Sequence, residues 1–353
     1  MIVPRHDPTL NPPFSQARNM NSNLQLALPP APDNDPGSML SEVLAGLNAT
    51  PKRLPSKFFY DARGSQLFES ICEQPEYYLT RTEIDIMRSN GAEISGVLGE
   101  NVRLVEFGSG NGIKTHLLLQ SLIDPAAYLP VEISGSALDE SVAALRTEFP
   151  DLPVVPLVGD FTKPLQLPKG PPHTSRTVVY FSGSTLGNFD QTEALDILRN
   201  IRAEVGHKGG ALIGIDLKKD VAELEAAYND QAGVTAAFTL NMLRHLNAAV
   251  GANFEENQFE HHARYDMENG RIETNIISLN DQVVAVHGRR FRFAASESML
   301  VEYSHKYSID EFGQMALRAG MRVSTCWTDP LKRFAVVFLT ANPGPTEPST
   351  PIW

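Results

Sequence analysis

VRLVEFGSGNGIKTHLLLQSL (102–122) decides the fold. Its first part, VRLVEFG, is a short apolar run that stops at glycines. Its second, IKTHLLLQSL (113–122), reads as a helix. The same rhythm continues outward. AYLPVEI (127–133) leads into a helix through SALDESVAALRTEF (136–149), followed by the apolar runs PVVPLVGDF (153–161), TVVYFSG (177–183) and ALIGIDL (211–217). Runs of this length spaced by helical stretches predict a parallel sheet covered on both faces, a doubly wound α/β core. After Leu217 come two helical stretches, VAELEAAYND and TAAFTLNMLRHLNAAV. Alternating segments then follow from HHARYDME to MLVEYSHKYS, predicting antiparallel strands in an inserted second unit. The helix SIDEFGQMALRAG and the strands MRVSTCWT and RFAVVFLT are expected to finish the parallel core. SQLFESICEQ and TRTEIDIMRS, upstream of Val102, read as helices packed on the insertion.

The chain has 353 residues, 42% hydrophobic and 20% charged, enough apolar material for a real core. Thirty basic residues against 42 acidic ones give a net charge of −12, and no extended Lys/Arg run offers a footing for a phosphate backbone, so nucleic acid is not an expected partner. Cys72 and Cys326, the two cysteines, form neither a disulfide framework nor a zinc pattern; they read as buried thiols in a reducing cytosol. No stretch approaches the ~18 apolar residues of a membrane span, and LQLALPPAP (24–32) lacks the basic leader of a secretory signal. A cytoplasmic protein without a membrane partner is expected. Residues 1–36 and 342–353 are rich in Pro and polar residues and read as disordered tails.

Gly108, Gly110 and Gly112 give the strand-to-helix turn a spacing that lets a nucleotide-like ligand approach the backbone. The nicotinamide-enzyme fingerprint needs its third glycine at 113, where this chain has Ile113; that points away from NAD without excluding it. Glu132 closes the second strand, 22 residues after Gly110, where a carboxylate can accept from both ribose hydroxyls. Asp160 and Phe161 close the third, an acid for an adenine amino group beside a ring for stacking. Together they suit an adenosine without a pyrophosphate, as in S-adenosylmethionine; Lys114 then faces the methionine carboxylate. The bland alternatives are a tight turn that binds nothing and a solvated lysine.

Four further segments carry more than scaffold: LPSKFFYDARGSQLFE (54–69), PEYYLTRTE (75–83), FSGSTLGNFD (181–190) and MLVEYSHKYS (299–308). Small polar residues past the fourth strand, including Gly183 and Asn188, lie where such sheets bind ligands. Strand alternation puts Glu302 and Ser304 on one face, a clamp for a ring N–H. His261 and His262 are adjacent on a strand and so point to opposite faces, which with no nearby Cys or carboxylate argues against a metal site.

These segments, with AYNDQAGVTAAF (227–238), resemble the L-histidine Nα-methyltransferase family, which makes hercynine on the route to ergothioneine. The resemblance runs from about Leu54 to Thr340. It implies a Rossmann-like class I methyltransferase core (82–216 and 307–341) with an inserted α+β substrate-binding domain (37–81 and 217–306). It implies cofactor contacts at Gly108, Lys114, Glu132, Asp160 and Phe161, with Gly110 in the same turn. Asn188 and Tyr228 would hold the substrate carboxylate, Tyr77, Glu302 and Ser304 the imidazole, and Tyr60 the reacting amine. Thr235 and Phe238 would line the pocket with Gly183. Thr274 stands where relatives carry a larger apolar residue. The implied function is three methyl transfers from S-adenosylmethionine, which leaves as S-adenosylhomocysteine, to L-histidine, by a monomer acting without metal on a small amino acid. Two other readings remain: a methyltransferase for another amino acid such as a tryptophan derivative, and a catalytically silent binding module.

Overall fold

The computed structural model describes residues 36–342 other than 109, 111 and 134, with the backbone alone at 36, 135–137 and 139–141. Apart from residues 36 and 342, the expected tails lie outside this range. The described chain opens with α1 (Pro36–Asn48), a two-residue β1 (Lys52–Arg53), α2 (Ala62–Glu73) and α3 (Leu79–Leu98). Strands and helices then alternate, save that no helix separates β4 from β5: β2 (Val102–Phe107), α4 (Ile113–Ser121), β3 (Ala127–Glu132), α5 (Gly135–Glu148), β4 (Leu157–Val158), β5 (Arg176–Phe181), α6 (Gln191–Val205) and β6 (Gly210–Asp216). After α7 (Val221–Ala226) and α8 (Val234–Val250) come β7 (Phe259–Asp266), β8 (Arg271–Ser278), β9 (Gln282–Val286), β10 (Arg289–Phe293) and β11 (Ser298–His305). The described chain closes with α9 (Ile309–Arg318), β12 (Met321–Thr328) and β13 (Phe334–Ala341).

Seven strands form the main sheet in the order β12-β13-β6-β5-β2-β3-β4. The five from β6 to β4 are parallel, and their order reverses between β2 and β5, the switch point at which open α/β sheets bind ligands. The last two strands depart from the expected parallel finish: β13 runs antiparallel to both β6 and β12. The link from β12 to β13 is too short for the crossover a parallel pair needs. Asp329 folds it into a turn by accepting the N–H groups of Leu331, Arg333 and Phe334. The predicted third strand also shrinks to Leu157–Val158, because Pro153 and Pro156 have no N–H to give a ladder.

Alternation along β2 sends Leu104 into one apolar cluster and Val105 and Phe107 into the other, on opposite faces of the sheet. Its two buried polar side chains are paired, as burial requires: Glu106 accepts from Thr115 and Tyr128, and Arg103 donates to Thr177 and the Pro168 carbonyl. A second sheet, β1-β11-β8-β7, and the β9–β10 hairpin are built from the flanking and inserted segments. The Tyr307 N–H donates to the Asp216 carbonyl and the Lys218 N–H to the Tyr307 carbonyl, which ties the chain after β11 to the end of β6. Cys72 and Cys326 are free and only half-buried. Among the described residues no helix is long and apolar enough to cross a membrane.

Candidate active site

The predicted cofactor residues lie along one rim of the main sheet. Gly108, Gly110 and Gly112 have φ of 75°, 52° and 73°, a region closed to most side chains. A Cβ at any of them would meet nothing within 4 Å, so backbone conformation demands glycine and the turn borders open space. The Gly110 N–H reaches Glu132 Oε1 at 3.4 Å, setting the carboxylate that ends β3 against the turn. Burial acts to raise the Asp160 carboxyl, but hydrogen bonds from Thr162 and the Lys163 ammonium outweigh it and hold it below the usual range. The Phe161 ring stacks on Phe107, centroids 5.3 Å apart and planes 10° from parallel. An approachable backbone, carboxylates at two strand ends and an adjacent aromatic cluster fit an adenosine-bearing cofactor.

Lys114 and Gly183 meet on Glu83, which sequence reasoning does not single out although it closes the PEYYLTRTE segment. Lys114 Nζ and the Gly183 N–H both donate to Glu83 Oε2, at 2.8 and 2.9 Å. Glu83 is fully buried, and among the described residues its Oε1 has no hydrogen-bond partner. Lys114 is thus charge-compensated, and among the described residues it spends one of its three donors.

On the substrate side the structure gathers five aromatic rings, two from α2 and α8 and three from connecting segments. Tyr60, on the turn before α2, makes edge contacts with Phe68 (5.8 Å) and Phe238 (5.6 Å); Phe68 meets Tyr77 (6.2 Å), and Tyr77 meets Tyr228 (6.3 Å). Asp61 fixes that turn, capping α2 through the Gly64 N–H and accepting from Asn241 of α8. Tyr77 and Tyr228 are buried, whereas Tyr60 keeps 45% of its surface exposed. The protein packed around its phenol end, then the Glu302 charge, nonetheless pushes the Tyr60 phenol upward, the residue's exposure as a whole notwithstanding; burial also raises Tyr77 and Tyr228. Phe68, a spacer in sequence terms, is part of this wall.

Glu302 and Ser304 share a face of β11, while Tyr303 turns away under the Arg271 guanidinium, 3.7 Å from its ring centroid. Glu302 has no hydrogen bond or ion pair among the described residues, and burial lifts it to about 7 against the pull of Lys306. Ser304 Oγ lies 2.7 Å from Tyr228 Oη. Lys306 Nζ donates to both at 2.8 Å and pairs with Asp216 Oδ2 at 2.8 Å, both charges fully buried. Asp216 also takes Tyr78 Oη at 2.8 Å and Lys219 Nζ at 2.6 Å. Sequence reasoning misses Lys306 and Asp216, although each sits at the end of a segment it quotes. Asn188 ends the 3-10 turn Thr185–Asn188 after β5, half-buried, its side chain without a hydrogen bond among the described residues. Thr235 and Thr274 are buried, their hydroxyls without a partner among the described residues, and Thr274 lies across the ladder from Glu302. His261 bonds the Tyr228 carbonyl at 2.9 Å. Among the described residues no three His, Cys, Asp or Glu side chains group as a metal site.

The strand order, with β13 antiparallel between β6 and β12, and the glycine turn at the switch point, taken with the family match, make this a Rossmann-like, class I S-adenosylmethionine-dependent methyltransferase. More narrowly, the chain belongs to the family described as histidine-specific methyltransferase, SAM-dependent, which matches residues 39–341. The histidine N-alpha-methyltransferase of Mycolicibacterium smegmatis is 37% identical over 318 residues, 89% of this chain and 98% of the relative. That of Mycobacterium tuberculosis is 35% identical over 301 residues, 84% and 92% of the two chains. The ergothioneine biosynthesis protein 1 of Neurospora crassa is 30% identical over 285 residues, 79% of this chain but 32% of that longer relative.

Proposed function

We propose that this chain methylates the α-amino nitrogen of L-histidine three times, forming Nα,Nα,Nα-trimethylhistidine (hercynine) in ergothioneine biosynthesis. The observation that carries the substrate is Glu302, an unpaired carboxylate beside the Ser304 hydroxyl in an aromatic wall. Such a carboxylate is costly until a donor arrives, and a ring N–H is that donor. A side chain without N–H leaves it unpaired, which is how the site rejects other amino acids.

S-adenosylmethionine, when bound, supplies a methyl carbon already activated by its sulfonium, and leaves as S-adenosylhomocysteine. Gly108, Gly110, Glu132, Asp160 and Phe161 are the residues that would hold it. The spare donors of Lys114 suit its carboxylate, with Glu83 offsetting the lysine charge. The reading calls for no metal. Asn188 and Tyr228 hold the substrate carboxylate and aim the nitrogen, and Tyr77, Gly183, Thr235 and Phe238 line the pocket. An ammonium has no lone pair, so a proton leaves before each attack. Tyr60, its phenol pushed up, stays protonated at neutral pH; it relays that proton to water and does not act as a phenolate base. Aromatic faces accommodate the cation that grows with each methyl.

Incubation with S-adenosylmethionine and each common amino acid, followed by mass, tests the reading. Triply methylated histidine is expected; arrest at one methyl, or preference for another amino acid, overturns it. Thr274 favours a second reading, an amino acid with a larger ring such as a tryptophan derivative, because a small residue stands opposite Glu302. A silent binding module would bind cofactor and turn nothing over. The proposal includes a cytoplasmic monomer with no nucleic-acid or membrane partner; light scattering at the mass of a dimer would overturn the monomer.

A further inference from the structure

An ammonium has three N–H bonds, and Lys306 uses them on Asp216 Oδ2, Tyr228 Oη and Ser304 Oγ, each at 2.8 Å. Both hydroxyls therefore already accept from Lys306. They also lie 2.7 Å from each other, so one donates to the other. Of their two hydrogens, one lies between them and one is left for the substrate. The hydroxyl that keeps it is a donor; the other offers a lone pair only.

A carboxylate has no hydrogen to give, so Tyr228 must be the donor when it binds one. Ser304 then donates to Tyr228, accepts from Lys306 and presents the ring with a lone pair. Ionised Glu302 likewise only accepts. Acceptors at both Glu302 and Ser304 require two hydrogens along the ring's edge, and neutral imidazole carries one.

We propose that Lys306, through Ser304 and Tyr228, makes the site bind the imidazole with one additional proton, taken from solvent and shared between the ring and Glu302. Imidazolium against carboxylate and imidazole against carboxylic acid have the same proton count, and both satisfy Ser304. Lys306 touches no substrate; it is a positioning residue that sets the direction of the hydrogen bonds. The inference rests on the histidine reading, in which Tyr228 takes the carboxylate and Glu302 with Ser304 the ring. The phenols, the thiol and the imidazole around this cluster keep their neutral form. The phenols of Tyr60, Tyr77 and Tyr228 and the Cys72 thiol are raised, in each case first by burial. His261, behind Tyr228, is pushed down by burial and stays neutral. Asp216 is ion-paired with Lys219 as well as Lys306. Glu302, lifted by burial to about 7, is the group poised to take the proton.

The test uses 3-(imidazol-4-yl)propanoate, which has the ring and the carboxylate but no amine to confuse the count. Calorimetry on the full chain saturated with S-adenosylhomocysteine, at about pH 8 in buffers of different ionisation enthalpy, should show uptake approaching one proton per ligand. Affinity should fall about tenfold per pH unit above that point. Binding without uptake overturns the proposal and leaves the histidine reading standing; failure of both this ligand and histidine to bind overturns the reading itself. Lys306→Met should flatten the pH slope by freeing the hydroxyl pair. Ser304→Ala, which removes no charge, should flatten it too and carries the test if the lysine variant does not fold. An unchanged slope in Ser304→Ala overturns the role given to the triad.

Discussion

Glu302 is half-buried by surface, and a carboxylate so withdrawn from water, with no partner among the described residues, is most comfortable while it holds a proton. Burial lifts Glu302 from 4.5 to about 7. Between those values the native state binds more protons than the unfolded chain, so this group lowers stability as pH rises through the window. Glu302→Gln has nothing to ionise. Its melting temperature relative to the wild type should climb from about pH 5 to about pH 7 and then level off. Thermal unfolding of both proteins without ligand checks this, and a constant difference would contradict the burial of the charge. Glu302→Ala should lose a charge-assisted hydrogen bond of about 1.5–3 kcal/mol, or roughly 10–100-fold in kcat/KM for histidine. Affinity for S-adenosylhomocysteine should hold, and equal losses of both would sink its assignment to the ring. Glu302 and Ser304 are legible in the sequence because alternation alone sets them side by side. Lys306 is not. Nothing local says that a lysine two residues on is fully buried, since its partner Asp216 comes from the end of another strand. Glu83 is hidden for the same reason, its burial explained only by Lys114 and Gly183.

At the scale of elements, each strand–turn–helix unit announces itself through its own periodicity and terminators, which is why the parallel half of the sheet is readable. Direction and pairing are relations between segments, so the antiparallel entry of β13 between β6 and β12 is not. The 3-10 turn Thr185–Asn188 leads directly into α6. Asp190 caps α6, accepting from Thr192 and Glu193, while the Glu193 side chain reaches back to the Asp190 N–H. A single residue, Phe189, separates that cap from Asn188. Asp190→Ala should cost about 1 kcal/mol of stability. It should also raise KM for histidine several-fold with little change in cofactor affinity, since the chain bearing Asn188 loses its anchor. Measuring KM beside denaturant unfolding separates the two effects; a stability loss with KM intact would show that the cap does not position Asn188.

At the scale of the molecule, the sequence suggests a core and an inserted unit, yet the packing gives no seam between the sheets. One apolar cluster runs from Leu104, Tyr128 and Leu212 in the main sheet through Tyr77 and Tyr228 to Leu243, Ile272 and Val301. The Lys306–Asp216 pair and the backbone bonds of Tyr307 join the same region. A continuous core that buries its only interior ion pair of this kind among the described residues should melt as one body. We therefore expect a single calorimetric transition, with calorimetric and van't Hoff enthalpies in agreement. Removing one partner of a buried pair costs about 3–5 kcal/mol, and Lys219 remains to compensate Asp216, so Lys306→Met should fall near the lower end. The loss should shift the whole transition downward without splitting it, because the lysine contacts residues that belong to both sheets. Two resolved transitions in the wild type, or a variant in which only part of the heat moves, would mean that the inserted unit folds on its own and that the lysine acts within it alone.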